Sequence, residues 1–292
     1  MSRTGVPFLF TTRQGGAETD GGGPPKRMHP PREIAVSERA SNPQTLRQRI
    51  VAEAVGTAFL LAAVVGSGIM GERLSGGNVA VALLANALAT GAALVALILT
   101  FGPISGAHFN PAVTIADAAR GALGWRDVLP YVVAQVAGAF SGVAAAHLMF
   151  GEPVFFASRH PRAGGAQAFS EFVATFGLLA VIGGCAQLRS SAVPFAVAAY
   201  ITAAYWFTAS TSFANPAVTL ARSASDTFAG IRPADVPAFI LAQLLGAGAA
   251  TALFRWLVPP RAAPPSTVAT IRTAAADDGA NVLARSGVNS PP

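Results

Sequence analysis

Residues 110–116 read Asn-Pro-Ala-Val-Thr-Ile-Ala, and residues 215–221 read Asn-Pro-Ala-Val-Thr-Leu-Ala. Asn is a preferred helix N-cap, and Pro suits the first helical position because its missing N–H has no partner there anyway. Each heptapeptide therefore starts a short apolar helix. A lone Asn-Pro is only a turn or a cap. Two near-identical copies, 105 positions apart, demand another account.

Other pairs follow in the same order. Glu53-x-x-x-Thr57 matches Glu171-x-x-x-Thr175, and Gln135-x-x-Gly138 matches Gln243-x-x-Gly246. The chain is thus two copies of one unit, repeat 1 over about 50–150 and repeat 2 over about 168–257.

The composition says where this repeat lives. Of 292 residues, 52% are hydrophobic and 12% are charged, about half the charge of an ordinary soluble domain. Six apolar stretches are long enough to cross a bilayer: about 50–71, 78–101, 128–150, 168–188, 191–211 and 233–257. The fold class expected is an all-α polytopic membrane protein with six transmembrane helices. Three spans per copy is an odd number, so the second copy lies upside down, giving a 3+3 inverted repeat. The uncharged runs 74–116 and 190–221 exceed one crossing each. The surplus is the two half-helices, which enter from opposite faces.

Residues 1–46 and 259–292, rich in Gly, Pro and Arg, read as disordered tails around a channel-like domain over 47–258. Six spans put both termini on one side. Of the 20 Lys and Arg, 15 fall on that side and five (Arg73, Arg159, Arg162, Arg222, Arg232) on the other. The positive-inside rule makes the termini cytoplasmic. Lys26 is the single lysine among these residues, a coding bias that points to a bacterial cytoplasmic (inner) membrane. The net charge of +6 follows from topology, and nucleic acid is not an expected partner. Membrane lipid is. One cysteine, Cys185, excludes an internal disulfide. No metal site, cofactor or catalytic set is expected, so the chain does not read as an enzyme.

Broken helices at membrane depth are tolerated where protein buries them or water reaches them. Each half-helix directs roughly +0.5 charge to its N-terminus. Two such ends converging at the midplane repel cations, while Asn110 and Asn215 offer amide donors to a passing oxygen. Pro111, Ala112, Pro216 and Ala217 complete that midplane set.

The motifs GAHFNPAVT at 106–114 and SFANPAVTLA at 212–221, with the two membrane glutamates, resemble the aquaporin and aquaglyceroporin (major intrinsic protein) family. The resemblance covers about 50–257. It implies a passive channel in each subunit of a homotetramer, permeable to small neutral solutes. It also implies a structural role for Glu53 and Glu171. The alternative is that these acids carry protons in a coupled secondary transporter.

The second motif departs from the family pattern, which continues with arginine where Val218 stands. The family's other filter positions, transferred at ungapped offsets, fall on Thr90, Ala203 and Ser212. This set has no ring and no charge, so the filter should be wide and weakly polar. It should pass water together with glycerol-like polyols or metalloid hydroxides such as arsenite. Arg222, one turn beyond Val218, either replaces the missing charge at the mouth or makes a loop contact. His108 is expected beside the pore. Arg120 is expected at the cytoplasmic interface.

Overall fold

Thr45 opens the first helix. Its hydroxyl accepts from Gln48 N while the Gln48 side chain accepts from Thr45 N, a reciprocal cap that satisfies two otherwise free donors. The structure, a computed structural model, describes residues 44–258. The expected tails therefore lie almost wholly outside the described residues. Among the described residues eight α-helices follow in order: α1 Leu46–Leu74, α2 Val79–Ser105, α3 Pro111–Ala119, α4 Trp125–Phe150, α5 Gly165–Leu188, α6 Val193–Phe207, α7 Pro216–Arg222 and α8 Val236–Leu257. Six stretches are long and apolar enough to cross a membrane, and α3 and α7 are the short helices of the two Asn-Pro motifs.

Among the boundaries that differ from those expected, two have a visible local cause. Helix α1 starts near residue 46 rather than 50. Arg49 looks like tail by composition, but its charge is matched by Asp127 at 2.8 Å. Helix α6 stops at Phe207 rather than running to 211. Thr208 turns extended, and Thr211 and Ser212 take positive φ, so the chain has already begun its return into the protein.

Within each repeat the first and third spans pack most closely, at glycine. A Cβ on Gly138 of α4 would collide with the Ala54 carbonyl of α1, and one on Gly246 of α8 would collide with the Phe172 carbonyl of α5. Small residues let backbones meet where lipid supplies no hydrophobic drive. Between repeats, α2 meets α6, α3 meets α8 and α7 meets α4.

The start of α1, both ends of the α3–α4 connection and the end of α8 share one face, here the near face, through Arg49–Asp127 and Arg255 Nη1 to the Ala119 carbonyl. On the far face, Arg73 pairs with Glu152. There the 151–164 segment is stitched to 223–235 by Ser158 N to Ser223 O, Arg232 N to His160 O, and Arg159 to Asp226. His147, which shows no ligand pattern in the sequence, is fully buried at this seam. Its ring nitrogens reach Val154 O at 2.7 Å and Ser225 Oγ at 2.9 Å.

Candidate functional site: the central cavity

The two approaches to the short helices are strained in the same way. Ala107 and Phe109 before α3, and Ser212 and Ala214 before α7, all have φ near +50°. Non-glycine residues held there cost roughly 1–3 kcal/mol each and persist only where neighbours fix them. The glutamates do the fixing. Glu53 accepts from Ser105 Oγ, His108 N, Phe109 N and Gln135 Nε2 at 2.6–2.9 Å. Glu171 accepts from Phe213 N, Ala214 N and Gln243 Nε2 at 2.6–2.9 Å. Both are fully buried. The matching Glu and Gln pairs of the sequence are thus one device built twice, a carboxylate holding the N–H groups of a bent loop.

Past these loops, Asn110 and Asn215 cap α3 and α7. Asn110 Oδ1 accepts from Ala112 N, and Asn215 Oδ1 accepts from Ala217 N and Val218 N. Each amide also crosses to the other repeat. Asn110 Nδ2 donates to Ala214 O at 2.8 Å, and Asn215 Nδ2 donates to Phe109 O at 2.7 Å. One N–H of each amide is committed to this cross-link, which leaves one per residue for the space beside it.

That space is a cavity of about 200 Å³ bordered by both asparagines. Toward the near face its wall is apolar, with Leu94, Ile182, Val193 and Val197, and it ends at His108 and Asp117. His108 Nε2 lies 2.9 Å from Asp117 Oδ2, and Nδ1 lies 3.1 Å from Thr114 Oγ1. Asp117 also pairs with Arg120, which borders an adjoining vestibule with Arg255. Arg120 is therefore engaged by an acid at this near-face vestibule. His108 does lie beside the cavity.

Toward the far face the wall is different. Thr90, Ser212 and Val218 border it, as the sequence positions suggested, but Ala203 does not. Ala203 is exposed on the outer side of α6. Two residues on, Tyr205 takes that place, buried, with its hydroxyl 3.2 Å from Thr90 Oγ1. Ungapped counting fails here because two residues turn a helix by about 200° and move a side chain to the opposite face. The expected set without a ring is corrected: Tyr205 supplies one.

A charge borders the cavity beside these positions. Arg222 is 2% exposed and borders the cavity. Its Nε donates to Ala229 O, and its guanidinium carbon lies 3.4 Å from the centre of the Phe213 ring. Arg222 thus makes a loop contact and also faces the cavity. Among the described residues its terminal nitrogens have no acceptor and no carboxylate pairs with it. The buried Ser212 Oγ also has no partner among them.

The fold is a 3+3 inverted repeat of six spans whose two half-helices abut one cavity. The family model described as "Major intrinsic protein" matches residues 40–192 and again 181–288, and the chain belongs to that family. It is a multi-pass membrane channel protein. It is 58% identical to aquaglyceroporin AqpS of Rhizobium meliloti (strain 1021) over 74% of this chain and 92% of that protein. It is 31% identical to aquaporin Z of Bradyrhizobium diazoefficiens over 72% of this chain and 93% of that protein. Among solved structures, the X-ray structure of the aquaglyceroporin from Plasmodium falciparum shares the fold, with a TM-score of 0.59 at 20% identity, covering 74% of this chain and 98% of that one.

Proposed function

We propose that the cavity is the conducting pore, with Asn110, Pro111, Ala112, Asn215, Pro216 and Ala217 at its midplane and a filter toward the far face. The filter comprises Thr90, Tyr205, Ser212, Val218 and Arg222. The observation that carries this reading is that one cavity touches both asparagines, each with an uncommitted amide N–H, at the N-termini of two helices pointing at one another. Charge reaching that point meets two helix dipoles, and a neutral oxygen meets donors.

The filter is one-sided. Tyr205, Thr90, Ser212 and Arg222 offer hydrogen bonds, while Val218, Ile201 and the Phe213 ring offer none. A solute with several hydroxyls on one edge and a compact body fits such a wall. Glycerol-like polyols and neutral trivalent metalloid hydroxides such as arsenous acid have that form, with water as co-permeant. Arg222 supplies from one turn further along the charge that Val218 lacks, and disfavours cations there.

Coupled transport through Glu53 or Glu171 has less support. Their oxygens are occupied by donors that hold the strained loops, so a change of protonation would release the loops as well. The chain is read as a homotetramer in a bacterial cytoplasmic membrane with both termini cytoplasmic, a reading supported by the family and by the arginine distribution.

The test is stopped-flow light scattering on proteoliposomes under water, glycerol and arsenite gradients. Each should equilibrate faster than in empty vesicles and with no response to proton or sodium gradients. Flux that tracks either gradient would replace the channel by a coupled carrier.

A further inference from the structure

The offset of 105 that superposes the two asparagines also superposes Asp117 on Arg222. Both border the central cavity, Asp117 at its near end and Arg222 at its far end. One internal symmetry has thus placed opposite charges at equivalent positions of one passage. The residues that contact them are equivalent as well. Asp117 bonds His108, and Arg222 lies on Phe213, which occupies the matching place in the second loop.

Toward the far face Arg222 is the charged side chain on the cavity wall, while the carboxylates of Glu53 and Glu171 sit behind the loops with their oxygens taken up by loop N–H and glutamine donors. Two half-helix ends contribute roughly +0.5 each, and the Arg222 guanidinium has no carboxylate partner among the described residues. This arrangement repels cations but attracts anions, and a channel that passed chloride or hydroxide would short-circuit the membrane as surely as one that passed sodium. Something else must turn anions away. The near half offers an anion nothing to replace its water: the wall is Leu94, Ile182, Val193 and Val197. His108 is the donor there, and its Nε2 is engaged by Asp117 at 2.9 Å. The carboxylate of Asp117 is the acidic group that borders the cavity, and its countercharge, Arg120, sits on the vestibule side rather than in the cavity wall.

We propose that Asp117 is a specificity-determining residue, the anion barrier of the pore and the symmetry counterpart of the cation barrier at Arg222. Rejection of the two signs is divided between the two repeats. Arg120 sets the strength of the barrier by neutralising part of the carboxylate's field from the vestibule. This inference rests on the cavity being the pore.

The test reads the potassium-to-chloride permeability ratio from voltage-sensitive dye in proteoliposomes under a KCl gradient, with glycerol flux measured on the same vesicles. Asp117→Asn should shift the ratio toward chloride by on the order of tenfold, since one unit charge at the wall is removed, and Asp117→Glu should restore it. Arg120→Gln unmasks the carboxylate and should shift the ratio the other way. This second variant keeps the test open should the first fail to fold. If glycerol flux persists and neither variant moves the ratio, or both move it in one direction, the assignment of Asp117 is overturned while the channel stands. If the parent protein carries no solute at all, the channel reading falls first.

Discussion

Asn110 and Asn215 each donate an amide N–H to the backbone of the other's loop, to Ala214 O at 2.8 Å and Phe109 O at 2.7 Å. The two half-helices are therefore tied across the repeat boundary at the point where their positive ends converge. An asparagine serves three demands there at once: an acceptor for the cap, a donor for the cross-link and a donor for the cavity.

Replacing Asn110 with Asp keeps the cap but turns the cross-linking donor into an acceptor facing Ala214 O. We expect a loss of about 1–3 kcal/mol, the cost of a buried polar group left unpaired. Thermal unfolding in detergent should show it as a lower midpoint. The added negative charge should also raise cation leak in proteoliposomes. A variant with the parent's stability and ion tightness would place these amides away from the pore.

Val218→Arg brings a bulky cation with five donors into a wall already holding Arg222. Glycerol and arsenite flux should fall by about tenfold or more, as expected from some 1.4 kcal/mol of added barrier, while water flux falls less. Equal slowing of all three in the stopped-flow assay would show that Val218 does not limit solute size.

Tyr205→Ala removes the ring that Ala203 was expected to lack and leaves Thr90 Oγ1 without its neighbour. The filter should then admit longer polyols such as erythritol, while Ala203→Leu should leave the erythritol-to-glycerol ratio unchanged. The opposite pattern would return the filter position to residue 203.

The far-face seam should respond to acid. Asp226 accepts from Arg159 N and from the Arg159 side chain, and these hydrogen bonds hold its carboxyl below the usual carboxylate range. A depressed folded value contributes stability that is present above about pH 4 and lost as pH falls through the folded value. Hydrogen exchange in residues 156–160 should therefore be as slow at pH 5 as at pH 7, after correction for intrinsic rates. It should quicken only well below pH 4, and Asp226→Asn should show the quick exchange throughout.

The fold was legible because its broken helices carry their own punctuation. Asn-Pro sets the helix start, and the Glu and Gln pairs mark where the loop is held. All of these lie close in sequence to the structure they build. What lay beyond reading was phase and direction. Whether position 203 or 205 faces inward depends on where α6 ends, and that is decided by the return of the chain through Thr208 and Ser212. The course of Arg222 back over Phe213, held by Ala229 O, joins three segments of repeat 2 and has no local signature. The spacing of Asp117 and Arg222 was present in the sequence, but its meaning appears only when both are found on one cavity.

The two kinds of fastening around the half-helices differ in how far along the chain they reach. Glu53, its loop N–H groups and Gln135 all belong to the first repeat, so this fastening needs nothing from the second. The partner of Asn110, the carbonyl of Ala214, is translated 104 residues later. The glutamate fastening is thus complete within one repeat, whereas the amide of Asn110 has its partner only when both repeats are present.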